Sequence, residues 1–218
     1  GLLPMRVAGR IVPTAYAFRR FLQRELPSYL LERPKVSALK GLQLKRPAKL
    51  PKEALDRWPP ASTKQLLGGK WDLSSLPIDH SVGRVAFKGG AQAAEKRLRF
   101  FLRNRLSSYP ENRNHPDEDG TSGLSPYLHF GHISAHQVFH EIVDKEGWSQ
   151  DLVGGKANGS RSGWWGMGEA AEAFLDELVT WRELGFNMTS RRDDYTDYES
   201  LPEWARDTLE KHEADERP

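Results

Sequence analysis

Residues 121–131 read Thr121-Ser122-Gly123-Leu124-Ser125-Pro126-Tyr127-Leu128-His129-Phe130-Gly131, or TSGLSPYLHFG. Ser125 followed by Pro126 predicts a helix start, because a serine oxygen accepts an orphan backbone N–H and proline has no N–H to lose. Gly131 predicts the stop. A helix opening here turns its N–H groups and positive end toward Thr121 and Ser122, and Gly123 permits close approach. Backbone donors, hydroxyls and a permissive glycine together suit an anion such as a phosphate. An ordinary capped helix has the same pattern, and these residues alone leave both readings open.

The rest of the chain narrows the class. Its 218 residues are 38% hydrophobic and 28% charged, enough for about one and a half domains but polar for a compact globule. There is no cysteine, which excludes a disulfide framework and thiolate metal sites. No apolar run reaches membrane-spanning length and nothing reads as a signal peptide, so a soluble, cytoplasmic protein is expected. The formal charge of +2 hides a polarity: from Gly1 to Trp58, 13 basic residues, Arg46 among them, face only Glu25, Glu32, Glu53 and Asp56, while the tail from Asp193 is acidic. Such a basic run suits a polyanion or a solvated linker. Seven tryptophans are costly to expose, so several should line a core or stack on a planar ligand.

Along the chain, GLLPMRVAGR opens as a loop without an initiator methionine, which suggests a missing amino-terminal part. Thr14 precedes a short amphipathic helix carried by Phe18, Phe21, Leu22 and Leu26. Proline- and lysine-rich residues from about 32 to 82 read as a long linker. Ala94, Leu98, Phe101, Leu102 and Leu106 predict a helix over 91–109, whose basic outer face from Lys96 to Arg105 suits a DNA backbone or plain solvent. Ser134 and Gln137 form a capping-box pattern for a helix that Gly147 ends. Glycines and serines from 154 to 168 read as a flexible loop. A helix follows over 169–188, and Ser200 with Glu203 gives a second capping box before a helix over 204–212. The period-two alternation of strands is absent after Val85, so this part reads as all helical.

Two groupings could carry chemistry. His132, His136 and His140 have helical metal-ligand spacing, but Gly131 and the Ser134 cap separate His132 from the other two, and no metal is expected. Glu177 and Trp181 are the more informative pair, because a spacing of four sets a carboxylate and an indole on one helix face, with Arg182 next in line. They read either as a core tryptophan beside a salt-bridging acid or as an aromatic platform and acceptor for a nucleobase.

TSGLSPYLHFG, the upstream YPENRN and the later FLDELVTWRELGFN and WARDTLEKHEADERP, with GLLPMR, PTAYAFRRFLQRELP and LPIDH in the same order, resemble the cryptochrome/photolyase family. The likeness is greatest to class II cyclobutane pyrimidine dimer photolyases and runs over nearly the whole chain. It implies a mainly α protein, part of an all-helical FAD-binding domain preceded by the end of an α/β antenna domain and a long linker. The implied divisions are 1–31, the carboxyl-terminal remnant of the antenna domain, 32–84, the linker, and 85–218, the amino-terminal half of the helical domain.

The resemblance also implies roles. Thr121, Ser122, Gly123, Leu124 and Ser125 would wrap the pyrophosphate of a U-shaped FAD, with Tyr109 on the same phosphate. Arg113 would lie near the flavin, its acid partner coming from a later half that is absent here. Glu177 and Trp181 would contact a flipped-out pyrimidine dimer, with Arg182 beside them on the DNA. Light-driven repair of dimer-containing double-stranded DNA by a monomeric full-length enzyme is the expected activity, nucleoid-associated in a prokaryote, with a second antenna chromophore in the missing amino-terminal domain. The 218 residues alone are expected to be poorly folded, inactive and unable to hold FAD. A cryptochrome-type photoreceptor without repair activity and a cofactor-free helical interaction module remain the alternatives.

Overall fold

The computed structural model describes every residue except 36, 38, 44, 46–48, 68–73, 75, 76, 84, 217 and 218. Arg46 of the basic stretch, Leu76 of LPIDH, residue 84 at the expected linker boundary and the last two residues of the WARDTLEKHEADERP tail therefore lie outside the described residues. Helices and loops make up the described residues, among which there is no strand. Residues 1–34 and 89–218 form one compact unit, and 35–88 form a second.

In the larger unit, α1 (Ala15–Glu25) starts where Thr14 takes the Ala17 N–H at 3.2 Å. Its stripe of Phe18 and Leu22 continues through Leu26 into the core. Residues 1–31 thus share their core with the helices after residue 89. The smaller unit carries α2 (Lys52–Arg57) and α3 (Thr63–Leu67), each under two turns long. In it, Arg57 lies 4.7 Å over the ring of Trp58, itself largely exposed.

Back in the larger unit, α4 (Ala91–Asn104) buries Ala94, Leu98, Phe101 and Leu102. It ends five residues before the expected Tyr109: the chain re-forms as a 3-10 turn (Leu106–Ser108) and then α5 (Tyr109–Asn112), where Pro110 fits the first turn. The next helix, α6 (Ser125–His129), is a correction to the cap assignment. Leu124 holds the N-cap position with no side-chain cap bond, Ser125 is the first helical residue, and Ser122 Oγ instead accepts the Leu124 N–H at 3.3 Å. One earlier hydroxyl folds the turn back, leaving the Ser125 hydroxyl free of capping.

The Ser134 cap forms as read, accepting the Gln137 N–H at 3.0 Å and opening α7 (Ala135–Glu146), which Gly147 ends in the left-handed conformation at φ 58°. His132 stays off this helix and accepts the Gly90 N–H at 3.0 Å. The loop over 154–168, expected to be flexible, is bonded along its length. Gln23 receives the Gly159 N–H and donates to Ser160 O, Glu172 accepts from Gly163 and Met167, and Trp148 Nε1 donates to Trp165 O. Glycines give this loop its turns, while side chains from α1 and from the next helix fix its path.

The rod after Gly168 has three parts: α8 (Glu169–Leu175), a π-helical turn (Asp176–Trp181) and α9 (Arg182–Thr189). The widened turn carries the i to i−5 bond from the Arg182 N–H to Glu177 O. Asp176, which opens it, is clamped by Arg19 of α1 at 2.6 and 3.2 Å, both side chains 8% exposed. Farther on, Asn187 accepts the Val12 N–H and donates to Arg10 O, each at 2.9 Å, strapping the first residues to α9. The second capping box does not form: Ser200 ends a 3-10 turn (Tyr198–Ser200), and α10 (Glu203–Lys211) starts from Pro202 without a side-chain cap. Of the described tryptophans, Trp148, Trp164 and Trp165 enter the core.

Candidate functional site

α5, the 121–125 loop, α6 and the π turn converge on an open cavity of about 820 Å³. That volume falls within the range of small-molecule sites. Tyr109, Thr121, Ser122, Gly123, Ser125, Glu177, Trp181 and Arg182, all named from the sequence, line it. Leu128, His129, Phe174, Leu178 and Phe186, to which the sequence assigns no role of their own, line it too.

Two named residues stand elsewhere. Leu124 is fully buried in the core, so its side chain anchors the loop from beneath. Arg113 does not line the cavity, but its Nη1 donates to Glu177 Oε1 at 2.7 Å. Within the described residues, the carboxylate that Arg113 pairs with is that of Glu177. A guanidinium whose charge would otherwise be unmet at a half-buried position takes the nearest carboxylate.

Each wall has a local cause. The Tyr109 ring is edge-on to Phe101 at 5.6 Å and to Phe174 at 5.3 Å, which fixes the direction of its hydroxyl. Burial raises its pKa, the Glu177 charge adds to the rise, and Arg113 opposes it. Tyr109 therefore stays a neutral hydroxyl, able to donate, through the physiological range. On the opposite wall, the π turn buries Asp176, Leu178, Val179 and Thr180 while leaving Trp181 at 44% exposure. An indole so placed offers an aromatic face to a planar ligand. Arg182 lies 4.6 Å over the Phe186 ring, and its Nη1 is buried with no hydrogen-bond partner among the described residues.

Arg97 is the residue the sequence reading missed. Its Nε donates to Ser122 O at 2.6 Å and its Nη2 to Thr121 O at 3.2 Å, so part of the basic face of α4 is spent inside the protein. Gly123 stands at φ +64°, which side-chain-bearing residues rarely adopt, and an added Cβ would sit 2.5 Å from Arg97 Nε and push the guanidinium aside. Among the described residues no group of histidines and acids is arranged to hold a metal ion. No helix there is long and apolar enough to cross a membrane.

Fold and cavity together define a helical unit with an open cavity, hydroxyls and a tight backbone loop on one wall and an aromatic–carboxylate pair on the other. The chain is 30% identical over 220 residues to the deoxyribodipyrimidine photo-lyase of Arabidopsis thaliana, an alignment covering 99% of this chain and 38% of that protein. It is 35% identical over 131 residues to the deoxyribodipyrimidine photo-lyase of Methanothermobacter thermautotrophicus, covering 60% and 24%. Cryptochrome-1 of Arabidopsis thaliana is 39% identical over 61 residues, covering 28% and 9%. No family model matches the chain. The chain belongs to the cryptochrome/photolyase family, and it spans 24% to 38% of the length of the two photo-lyases named.

Proposed function

We propose that this chain is the part of a class II-type deoxyribodipyrimidine photo-lyase that cradles the pyrophosphate of FAD and meets a cyclobutane pyrimidine dimer in DNA. The observation that carries the reading is the convergence, in one cavity, of the loop donors and of Glu177 with Trp181. The donor set suits FAD: Thr121, Ser122, Ser125 and Tyr109 bring hydroxyls, and the tight turn at Gly123 lets a phosphate approach the backbone. When bound, reduced FAD supplies the photochemistry, an electron passed under light to the cyclobutane ring.

The residues of the chain bind and orient. The hydroxyls and loop amides donate to phosphate oxygens, and Arg113 neutralises the carboxylate beside them until a ligand competes for it. Trp181 stacks on the flipped-out bases, for which flipping costs less at a lesion than at an intact pair. Glu177 accepts a hydrogen bond from a pyrimidine N–H, and Arg182 contributes positive charge at the same mouth. We take the wider protein to supply the remaining flavin contacts, so the 218 residues alone would not repair DNA.

The test is illumination of the full-length polypeptide, loaded with FAD, on duplex DNA carrying pyrimidine dimers. Loss of dimers in the light and not in the dark is expected. A flavin spectrum without dimer loss would favour the photoreceptor reading, toward which the likeness to cryptochrome-1 points. Absence of any flavin binding would leave a helical interaction module.

A further inference from the structure

We infer that Arg97 is a positioning residue that aims the amides of the 121–123 loop at phosphate and so makes the site select a phosphate-bearing flavin over one without phosphate; this rests on the cradle reading above. In a planar trans peptide the carbonyl and the following N–H point in opposite directions. Arg97 draws the carbonyls of Thr121 and Ser122 to itself, at 3.2 and 2.6 Å. The N–H groups of Ser122 and Gly123 consequently face away from the guanidinium. Both residues line the cavity, and neither N–H has an acceptor among the described residues.

The guanidinium is itself held. Arg97 Nη2 lies 3.5 Å from Asp119 Oδ1, and Arg105 Nη1 holds the same oxygen at 2.6 Å. Arg97 also lies 5.5 Å over the Phe100 ring, which limits its swing. A cation donating to two successive carbonyls polarises the peptides it touches, strengthening the donors on their far side. Arg97 touches no ligand in this arrangement; it acts through the loop. A residue that only stapled the loop to α4 would affect folding, whereas one that aims donors affects the ligand's phosphates and leaves the isoalloxazine ring alone.

The test uses the full-length polypeptide and its Arg97→Gln and Arg97→Lys variants, titrated in parallel with FAD and with riboflavin, with thermal unfolding recorded for each. Arg97→Gln is expected to weaken FAD about tenfold or more while changing riboflavin less than about twofold, as the loss of charge-assisted aim would give. Arg97→Lys, with a point charge in place of a fork, should fall between. Equal weakening of the two flavins, or no weakening of either, overturns the inference and leaves Arg97 a staple. If Arg97→Gln fails to fold, the FAD-to-riboflavin ratio of Arg97→Lys decides alone: a lowered ratio supports the assignment and an unchanged one overturns it. A wild type without preference for FAD over riboflavin overturns the phosphate cradle, and this inference with it. A wild-type preference that Arg97→Gln leaves intact removes this inference only.

Discussion

Trp181 and Glu177 sit four positions apart on the π turn, yet their surroundings give them different work. Trp181 has an exposed indole in the cavity wall, and base stacking on such a ring contributes roughly 1–3 kcal/mol. Trp181→Ala should therefore weaken binding of dimer-containing DNA by about one to two orders of magnitude, with flavin content nearly intact. Gel-shift titration beside an absorbance spectrum checks both, and equal affinities would reduce Trp181 to packing. Glu177 is held by Arg113, so Glu177→Ala removes an acceptor and also leaves a guanidinium without its partner. Interactions that strengthen only along the reaction alter yield more than affinity. Dimers split per absorbed photon should fall further than DNA affinity does; a normal yield would contradict the role.

At the scale of elements, the arrangement depends on how the π turn is held. Arg19 and Asp176 form a buried, two-bond ion pair between α1 and the first residue of that turn. Removing one partner strands the other in the core, at a cost of roughly 3–5 kcal/mol. Asp176→Ala should thus lower the denaturation midpoint strongly, while Asp176→Asn, which keeps an acceptor for one guanidinium N–H, should lower it less; urea unfolding of both tests the order. α1, α4, α7 and α8 were legible from their apolar spacing, and Ser134 and Gly147 from cap chemistry, since these signals are local. The π turn was not legible: Phe174, Leu178, Trp181 and Gly185 keep an α-helical spacing in the sequence, whereas in the structure burial passes to Glu183 and Asn187 beyond the turn and leaves Trp181 and Gly185 exposed. Ser125 and Ser200 misled for a related reason: a serine one or two residues ahead of a proline fits several positions of a helix start, and which one it takes depends on tertiary contacts. Arg97 and the Arg113–Glu177 bond span 24 to 64 residues of sequence, beyond the reach of any spacing rule.

For the molecule as a whole, Tyr109 links the site to stability. Its pKa is raised above the ordinary 10 chiefly by burial, so the unfolded chain gives up this proton at lower pH than the folded one does. The contribution is fully present below about pH 10 and is lost as pH rises through the folded value. Melting temperature should fall with pH on that alkaline limb, and Tyr109→Phe should flatten the fall; an unaltered slope would mean other groups govern it. The strap that joins Asn187 to Val12 has a different consequence. Those residues are 175 positions apart. At about 5–20 residues per second, synthesis needs roughly 9–35 s to bring the second after the first. Through that interval α1 waits for the rest of the core that Phe18, Leu22 and Leu26 share, which runs on to Val179. The nascent chain therefore carries an apolar stripe before its core is complete for longer than most small domains take to fold, and adding a holding chaperone to cell-free synthesis should raise the soluble yield.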